Sequence, residues 1–404
     1  MNVFLVGNGY DLHHKFPTGY LNFLNTIKFL TEKYNDSFST VGNVFGNNEL
    51  QDKDAFIKEC YLKHSEIYDT TSLPKEKVYD IISRVKDNMW FKYFCNSVHK
   101  DIKWIDFEKE IIRVLNAFSN FFDYDGSMEL MGERVIFNFS EFPKDTEDRH
   151  IISQFNFFFN ECDDAWVRSS HLMYITPKYA VERIKGSNSY HILTDEIASE
   201  LYMSLREFAG VLKDYLLYFV DAPSQEYINA GKRARFADLP TPNRVYSFNY
   251  TNTFEILHNI NMVDHIHGNT NTDIVLGVNP NESDYIGSID TTFLQFKKYF
   301  QRVFFNTDVE YLHQMNYIKR TPRSNDTKLY VIGHSLDSTD VDIIKQIFDS
   351  AKSILILYHS EVSVKNQIKN LVEMYGKDGF DQLREDKALC FLPQGEMLWE
   401  TETK

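Results

Sequence analysis

The sequence predicts an α/β protein: a mostly parallel sheet with helices on both faces, interrupted by a large, mainly α-helical insertion. Three observations carry that expectation. Short apolar runs bounded by turn residues recur as buried strands, those after residue 243 alternate with helical patterns, and residues 35–240 carry long amphipathic patterns instead. The 404 residues are 43% hydrophobic and 25% charged, enough apolar side chains for one large core or two smaller ones.

The elements follow in order. Residues 2–6 form an apolar run with no basic flank and no small-residue cleavage site, so they read as a strand and not as a targeting signal. Further strands are expected at 244–248, 264–267, 273–278, 328–332, 353–358 and 388–392, with helices at 253–260, 291–304, 341–351 and 362–375 between them. Within the insertion the clearest helix starts at Thr194, an N-cap followed by Asp195 and Glu196. It carries Ile197, Leu201, Leu205, Phe208, Leu212, Tyr215 and Phe219 on one face. Others are expected near 75–99 and 106–122, and 221–244, with Pro223, Pro240 and Pro242, reads as the return connection. The expected division is a discontinuous sheet domain, residues 1–34 and 241–404, around an insertion at 35–240.

Charge narrows the function classes. Lys plus Arg number 43 and Asp plus Glu 58, a net charge of −15 that repels nucleic-acid phosphates and anionic membrane surfaces. General nucleic-acid binding is not expected, and the basic runs Lys232-Arg233-Ala234-Arg235, Lys297-Lys298 and Lys319-Arg320-Thr321-Pro322-Arg323 read as solvated faces. No window approaches the roughly 18 consecutive apolar residues of a membrane span. Cys60, Cys95, Cys162 and Cys390 lie far apart and form no C-x-x-C pair, which fits a reducing cytosol and neither a zinc ribbon nor a disulfide framework.

Four constellations carry candidate chemistry. Gly7-Asn8-Gly9-Tyr10-Asp11 ends the first strand, where a G-x-G turn lets backbone N–H groups approach a pyrophosphate; the third glycine of a G-x-G-x-x-G fingerprint is replaced by Leu12. Ser247-Phe248-Asn249-Tyr250-Thr251-Asn252 delivers Asn249 to a strand end, with Thr251 or Asn252 as a helix cap. His265-Ile266-His267-Gly268 puts two imidazoles on one strand face. One reading is a satisfied structural histidine, His265 more than His267; the other makes His267 a general base beside a glycine that leaves room for substrate. No third ligand with recognisable spacing supports a metal, so none is expected. Gly333-His334-Ser335-Leu336-Asp337, with Asp340 opening the next helix as its N-cap, reads either as a turn that holds part of a nucleotide or as a nucleophile elbow. The elbow's second glycine is replaced by Asp337.

In this order, with Pro17-Thr18 and Ile274-Val275-Leu276-Gly277, these motifs resemble the AbiH family of bacteriophage abortive-infection proteins. They are similar, more remotely, to the sirtuin fold and to sirtuin-like NAD hydrolases of phage defence. The resemblance implies a sirtuin-like, Rossmann-type sheet that binds NAD as substrate. Gly7, Asn8 and Gly9 would cradle the pyrophosphate, Asn249 would orient ribose or water, and His267 would act as base. Gly333 and Ser335, with Asp340, would hold the adenosine half, and Asp11 would order the loop or touch the ribose. The zinc cysteines of sirtuins are absent, and Pro17-Thr18-Gly19-Tyr20 lacks the arginine of their P-D-F-R segment, which speaks against peptide deacylation. The resemblance also implies a phage-borne trigger and leaves room for a homo-oligomer or a partner subunit. Two other readings stand beside it: a nucleotide sensor that binds without turnover, and a serine hydrolase using Ser335.

Overall fold

The computed structural model describes residues 1–98, 105–123, 128–131, 134–138, 146–159, 172–182, 189–236, 239–279, 291–320, 326–395 and 397–401. They form two compact units: Met1–Ser83 with Ala209–Val275 and Gln301–Lys404, and Arg84–Phe208 with Leu276–Phe300.

The first unit is built on six parallel strands: β1 (Asn2–Val6), β2 (Arg244–Ser247), β3 (Val263–His265), β4 (Lys328–Ile332), β5 (Ser353–Tyr358) and β6 (Cys390–Pro393). Their spatial order is β3-β2-β1-β4-β5-β6. β1 lies in the middle, pairing Val6 with Ile332 on one side and with Ser247 on the other. Its alternate side chains feed two cores: Val3 and Leu5 pack with Tyr246, Val331 and Ile344, whereas Phe4 and Val6 pack with Val245, Phe254 and Leu357. Burial on both faces explains the unbroken apolar run, because a one-sided strand would alternate.

The observed helices explain several departures from the pattern. Helix α1 (Gly9–His13) follows β1 directly, α2 (Thr253–His258) follows β2, α3 (Val341–Ser350) follows β4, and α4 (Glu361–Asp386) follows β5. The expected helix at 75–99 is two, Lys75–Lys86 and Met89–Ser97, because Asn88 caps the second by accepting the Phe91 N–H. The expected return connection contains a helix, Ala222–Asn229, which tolerates Pro223 in its first turn, and a strand, Lys232–Phe236, paired with Met397–Thr401. The expected strand at 273–278 does not form. Its buried residues bond elsewhere: the Val275 N–H is given to His267 O (2.8 Å), Val275 O accepts the Tyr250 hydroxyl (2.7 Å), and Val278 makes an isolated bridge with Lys297.

The second unit holds an antiparallel sheet the sequence pattern did not reveal, ordered Phe158–Phe159, Leu172–Ile175, Arg134–Asn138, Met128–Met131, Ser189–Ile192, Ala180–Glu182. Strands of two to five residues are too short for a period-two signal to stand out. Trp90, Phe94, Phe107, Phe118, Phe155 and Phe208 form its aromatic core. Lys298, expected on a solvated face, is instead buried and paired with Glu108 (2.8 Å). Among the described residues there is no disulfide and no helix long and apolar enough to cross a membrane; Cys162 and residues 321–323 of the last basic run lie outside them.

Gly333 fixes the junction of β1 and β4. Its φ is +65°, and a Cβ there would collide with the backbone nitrogen of Tyr10. Gly333→Ala is expected to cost at least about 2 kcal/mol, from left-handed strain and forced displacement of the β1 turn, measured as a lowered urea midpoint.

Candidate functional site

All four sequence constellations lie at the carboxyl ends of β1, β2, β3 and β4, on both sides of the point where the strand order reverses. That is where open parallel sheets place ligands. The turns after β1 and β4 interlock. Gly7 N–H donates to Ile332 O (2.9 Å) and Gly9 N–H to Gly333 O (2.7 Å). A Cβ at Gly7 would sit 2.7 Å from His334 Cα, and one at Gly9 2.6 Å from Gly333 O. The close approach that demands these glycines is therefore strand end to strand end, and the Gly7 and Gly9 N–H groups are engaged by β4 and its turn. Asn8 is exposed, its Nδ2 donating to Thr18 O (3.3 Å).

Two buried carboxylates hold the loop after β2. Asp11, fully buried, accepts from Asn249 Nδ2 (3.4 Å), from the Thr251 hydroxyl (2.7 Å) and from the Thr253 hydroxyl. Asp221 accepts from Asn252 N (2.9 Å), from Asn252 Nδ2 (2.8 Å) and from the Thr270 hydroxyl. Asn252 stands at the N-cap position of α2, but its side chain makes no cap bond, because Asp221 and Thr270 claim it. Burial pushes Asp11 up to about 6 and Asp221 up to about 7, the donated hydroxyl and amide hydrogen bonds working against it.

The two histidines of the third constellation separate by role. His265 Nδ1 bonds Asn249 O (3.0 Å) and its Nε2 bonds Glu255 Oε1 (2.7 Å). Both partners are acceptors, so only the imidazolium satisfies both. Burial works against that charge, yet the Glu255 hydrogen bond and its charge raise the pKa above the ordinary histidine value. His265 is thus structural, pinning the Asn249 carbonyl. His267 Nε2–H donates to Asp340 Oδ1 (2.8 Å), and its ring meets Phe248 edge-on at 5.4 Å. This makes Nδ1 the basic nitrogen of the neutral ring. Asp340 is at the N-cap position of α3 but makes no side-chain cap bond; the carboxylate is turned to His267. Gly268 has φ +73° and its N–H closes on His265 O (3.1 Å), so a turn demands this glycine.

In the fourth constellation Ser335 is exposed, between Gly333 (φ +65°) and Leu336 (φ +58°). His334 is buried beside Phe248 (4.5 Å), its Nδ1 accepting the Leu336 N–H (2.9 Å) and its carbonyl accepting Gln367 Nε2 (2.9 Å). The fold thus brings Asp11 against Asn249 and Asp340 against His267. Sequence reasoning missed Asp221, Glu255 and Thr253. Asp221 lay in a stretch read as a connection, and nothing in its local pattern marks a partner 31 positions away. Among the described residues no group of three or more His, Cys, Asp or Glu side chains is placed to hold a metal ion.

The Asp221 linkage has a definite sign. Its folded pKa lies above the ordinary 3.8, so its stabilising contribution is present at low pH and is lost as pH rises toward about 7. Relative to wild type, Asp221→Asn should therefore gain stability between about pH 4 and 7, by up to ~1.4 kcal/mol per pH unit. Urea midpoints across that range measure it, and a pH-independent difference would show an ordinary carboxyl.

No curated protein and no solved structure matches the chain significantly. A family profile described as bacteriophage abortive infection AbiH matches residues 3–358. The match takes in β1 through β5 and every candidate residue described above, and the chain belongs to the AbiH family of phage abortive-infection proteins.

Proposed function

We propose that the protein acts in abortive infection as a sirtuin-like NAD hydrolase, cleaving the nicotinamide–ribose bond and depleting NAD. The observation that carries this reading is the convergence of a buried asparagine and a His–Asp pair at the reversal point of the sheet. The strand order β3-β2-β1-β4-β5-β6 is also that of Rossmann-type sheets, which bind dinucleotides across this crevice.

In the proposed reaction the C1′–N bond breaks and its electron pair neutralises the nicotinamide nitrogen. Water forms the new bond to C1′ and gives its proton to His267, leaving ADP-ribose. Positive charge builds at C1′ as the bond opens, so the site has to hold the ribose and the water in line and supply a base. Asn249 orients ribose or water. Asp340 fixes the tautomer and ring plane of His267, and both it and the histidine are buried. Asn8, with the interlocked Gly7 and Gly9, lines the pyrophosphate side, and Gly333 and Ser335 hold the adenosine ribose. Activity that destroys NAD has to be held off until infection, so a phage component is the proposed trigger, acting on the chain alone, on a homo-oligomer or through a partner subunit.

Purified protein, with and without lysate of infected cells, would be incubated with NAD and the products separated by chromatography. Nicotinamide and ADP-ribose are expected, and His267→Ala should lower kcat by on the order of 10²–10⁴-fold. Asn249→Ala should remove most activity, and Asp340→Asn should lower kcat while leaving KM nearly unchanged. Turnover equal in all variants sinks the assignment. Calorimetric binding of NAD without turnover in infected lysate points to a nucleotide sensor, and fluorophosphonate labelling of Ser335 to a serine hydrolase.

A further inference from the structure

We propose that Asp11 is the positioning residue of this site. Its carboxylate turns the Asn249 amide so that the oxygen, and not the NH₂ group, faces the ligand, and the ligand group met there is an O–H donor, a ribose hydroxyl or a water. This rests on the hydrolase reading above for what the ligand is, but not for how Asn249 is held.

Every polar group of Asn249 except one has a partner. Its backbone N–H donates to Ser247 Oγ (3.2 Å), its carbonyl takes His265 Nδ1–H (3.0 Å), and its Nδ2 donates to Asp11 Oδ2 (3.4 Å). The amide oxygen Oδ1 is buried and has no hydrogen-bond partner among the described residues, in a residue that is itself only 4% exposed. An ionised carboxylate accepts and cannot donate, so Asp11 can be met only by the NH₂ end of the amide. The same Oδ2 accepts Thr251 Oγ1 (2.7 Å) and Oδ1 accepts Thr253 Oγ1, so the carboxylate cannot swing away. A buried, unmet carbonyl oxygen is costly, by the desolvation that a ligand donor would offset.

The arrangement requires the ionised form. Asp11 is faced by Glu255 of α2 and His265 of β3, and Tyr10 precedes it on α1; burial and Glu255 raise its pKa, while the two threonine hydroxyls and His265 lower it. A protonated Asp11 carries its own O–H donor and would let the amide turn over, so an acid limb near pH 6 is expected in activity.

The test has an arm that needs no NAD. In full-length protein labelled with ¹⁵N-asparagine, the Asn249 side-chain amide resonance, identified by its loss in Asn249→Ala, is followed between pH 5 and 8. It should titrate with a midpoint near 6, and the titration should vanish in Asp11→Asn. A resonance that does not titrate, or one that titrates alike in Asp11→Asn, overturns the proposal. In the second arm, Asp11→Asn and Asn249→Asp each should lose NAD turnover by at least tenfold, whereas the double exchange, Asp11→Asn with Asn249→Asp, again pairs a donor at 11 with an acceptor turned to the ligand and should recover most of it. A natively folded double variant no better than the singles also overturns it. Should wild type never cleave NAD, the hydrolase reading falls and the resonance alone judges Asp11. NAD analogues lacking the 2′- or 3′-hydroxyl of the nicotinamide ribose separate the two donors. If the hydroxyl is the donor, Asn249→Ala costs nothing further on the analogue that lacks it; if water is, the loss is the same as on NAD.

Discussion

The parallel pairing of β1 between β2 and β4 is the constraint on which the rest of the site depends. The strand has five residues, four of them almost wholly buried, and its partners lie far along the chain, Arg244 opposite Val3 and Lys328 opposite Asn2. Burial of Val3, Phe4, Leu5 and Val6 contributes roughly 1.5–3 kcal/mol each, which offsets the entropy of closing so long a loop. Because side chains alternate, a slip of one residue would exchange the two cores, so the register is tightly held. That register sets Val6 level with Ser247 and Ile332, and the three following turns meet as a consequence.

What those turns contain is polar and dehydrated. Asp11 holds Asn249, Thr251 and Thr253, Asp221 holds Asn252 between them, and His265 links the loop to Glu255. Burying these carboxylates is costly for stability, and the same burial raises their pKa values. A loop whose work was only to connect β2 to α2 would be more stable with apolar side chains. The network instead holds Asn249 and Thr251 in one conformation, a use that buried polar networks serve, and leaves the Asn249 Oδ1 open to a ligand. The His267–Asp340 pair follows the same logic between the turns after β3 and β4, where the cap of α3 is given up to orient an imidazole.

The glycines show how one residue can invite two explanations. A G-x-G turn after a buried strand suggests N–H groups offered to a phosphate, yet here Gly7 and Gly9 are demanded by Gly333 and His334 of the neighbouring turn. The close packing of the two turns is by itself enough to require glycine at both positions.

The parallel sheet was legible because strands buried on both faces leave continuous apolar runs, and Asn2–Val6, Lys328–Ile332 and Ser353–Tyr358 lie where those runs fall. The short antiparallel strands of the second unit were not, since two to five residues carry no readable period. The same division holds for the site. Asn249, His267 and Asp340 stand out locally, as polar residues at the ends of apolar strands or the start of a helix. Sequence by itself determined the α/β class, the strand ends and the residue types gathered there. Only the tertiary structure decided which of them meet, Asp11 with Asn249 across 238 positions and Asp340 with His267 across 73, because hydrogen bonds between distant segments depend on strand register and have no local signature.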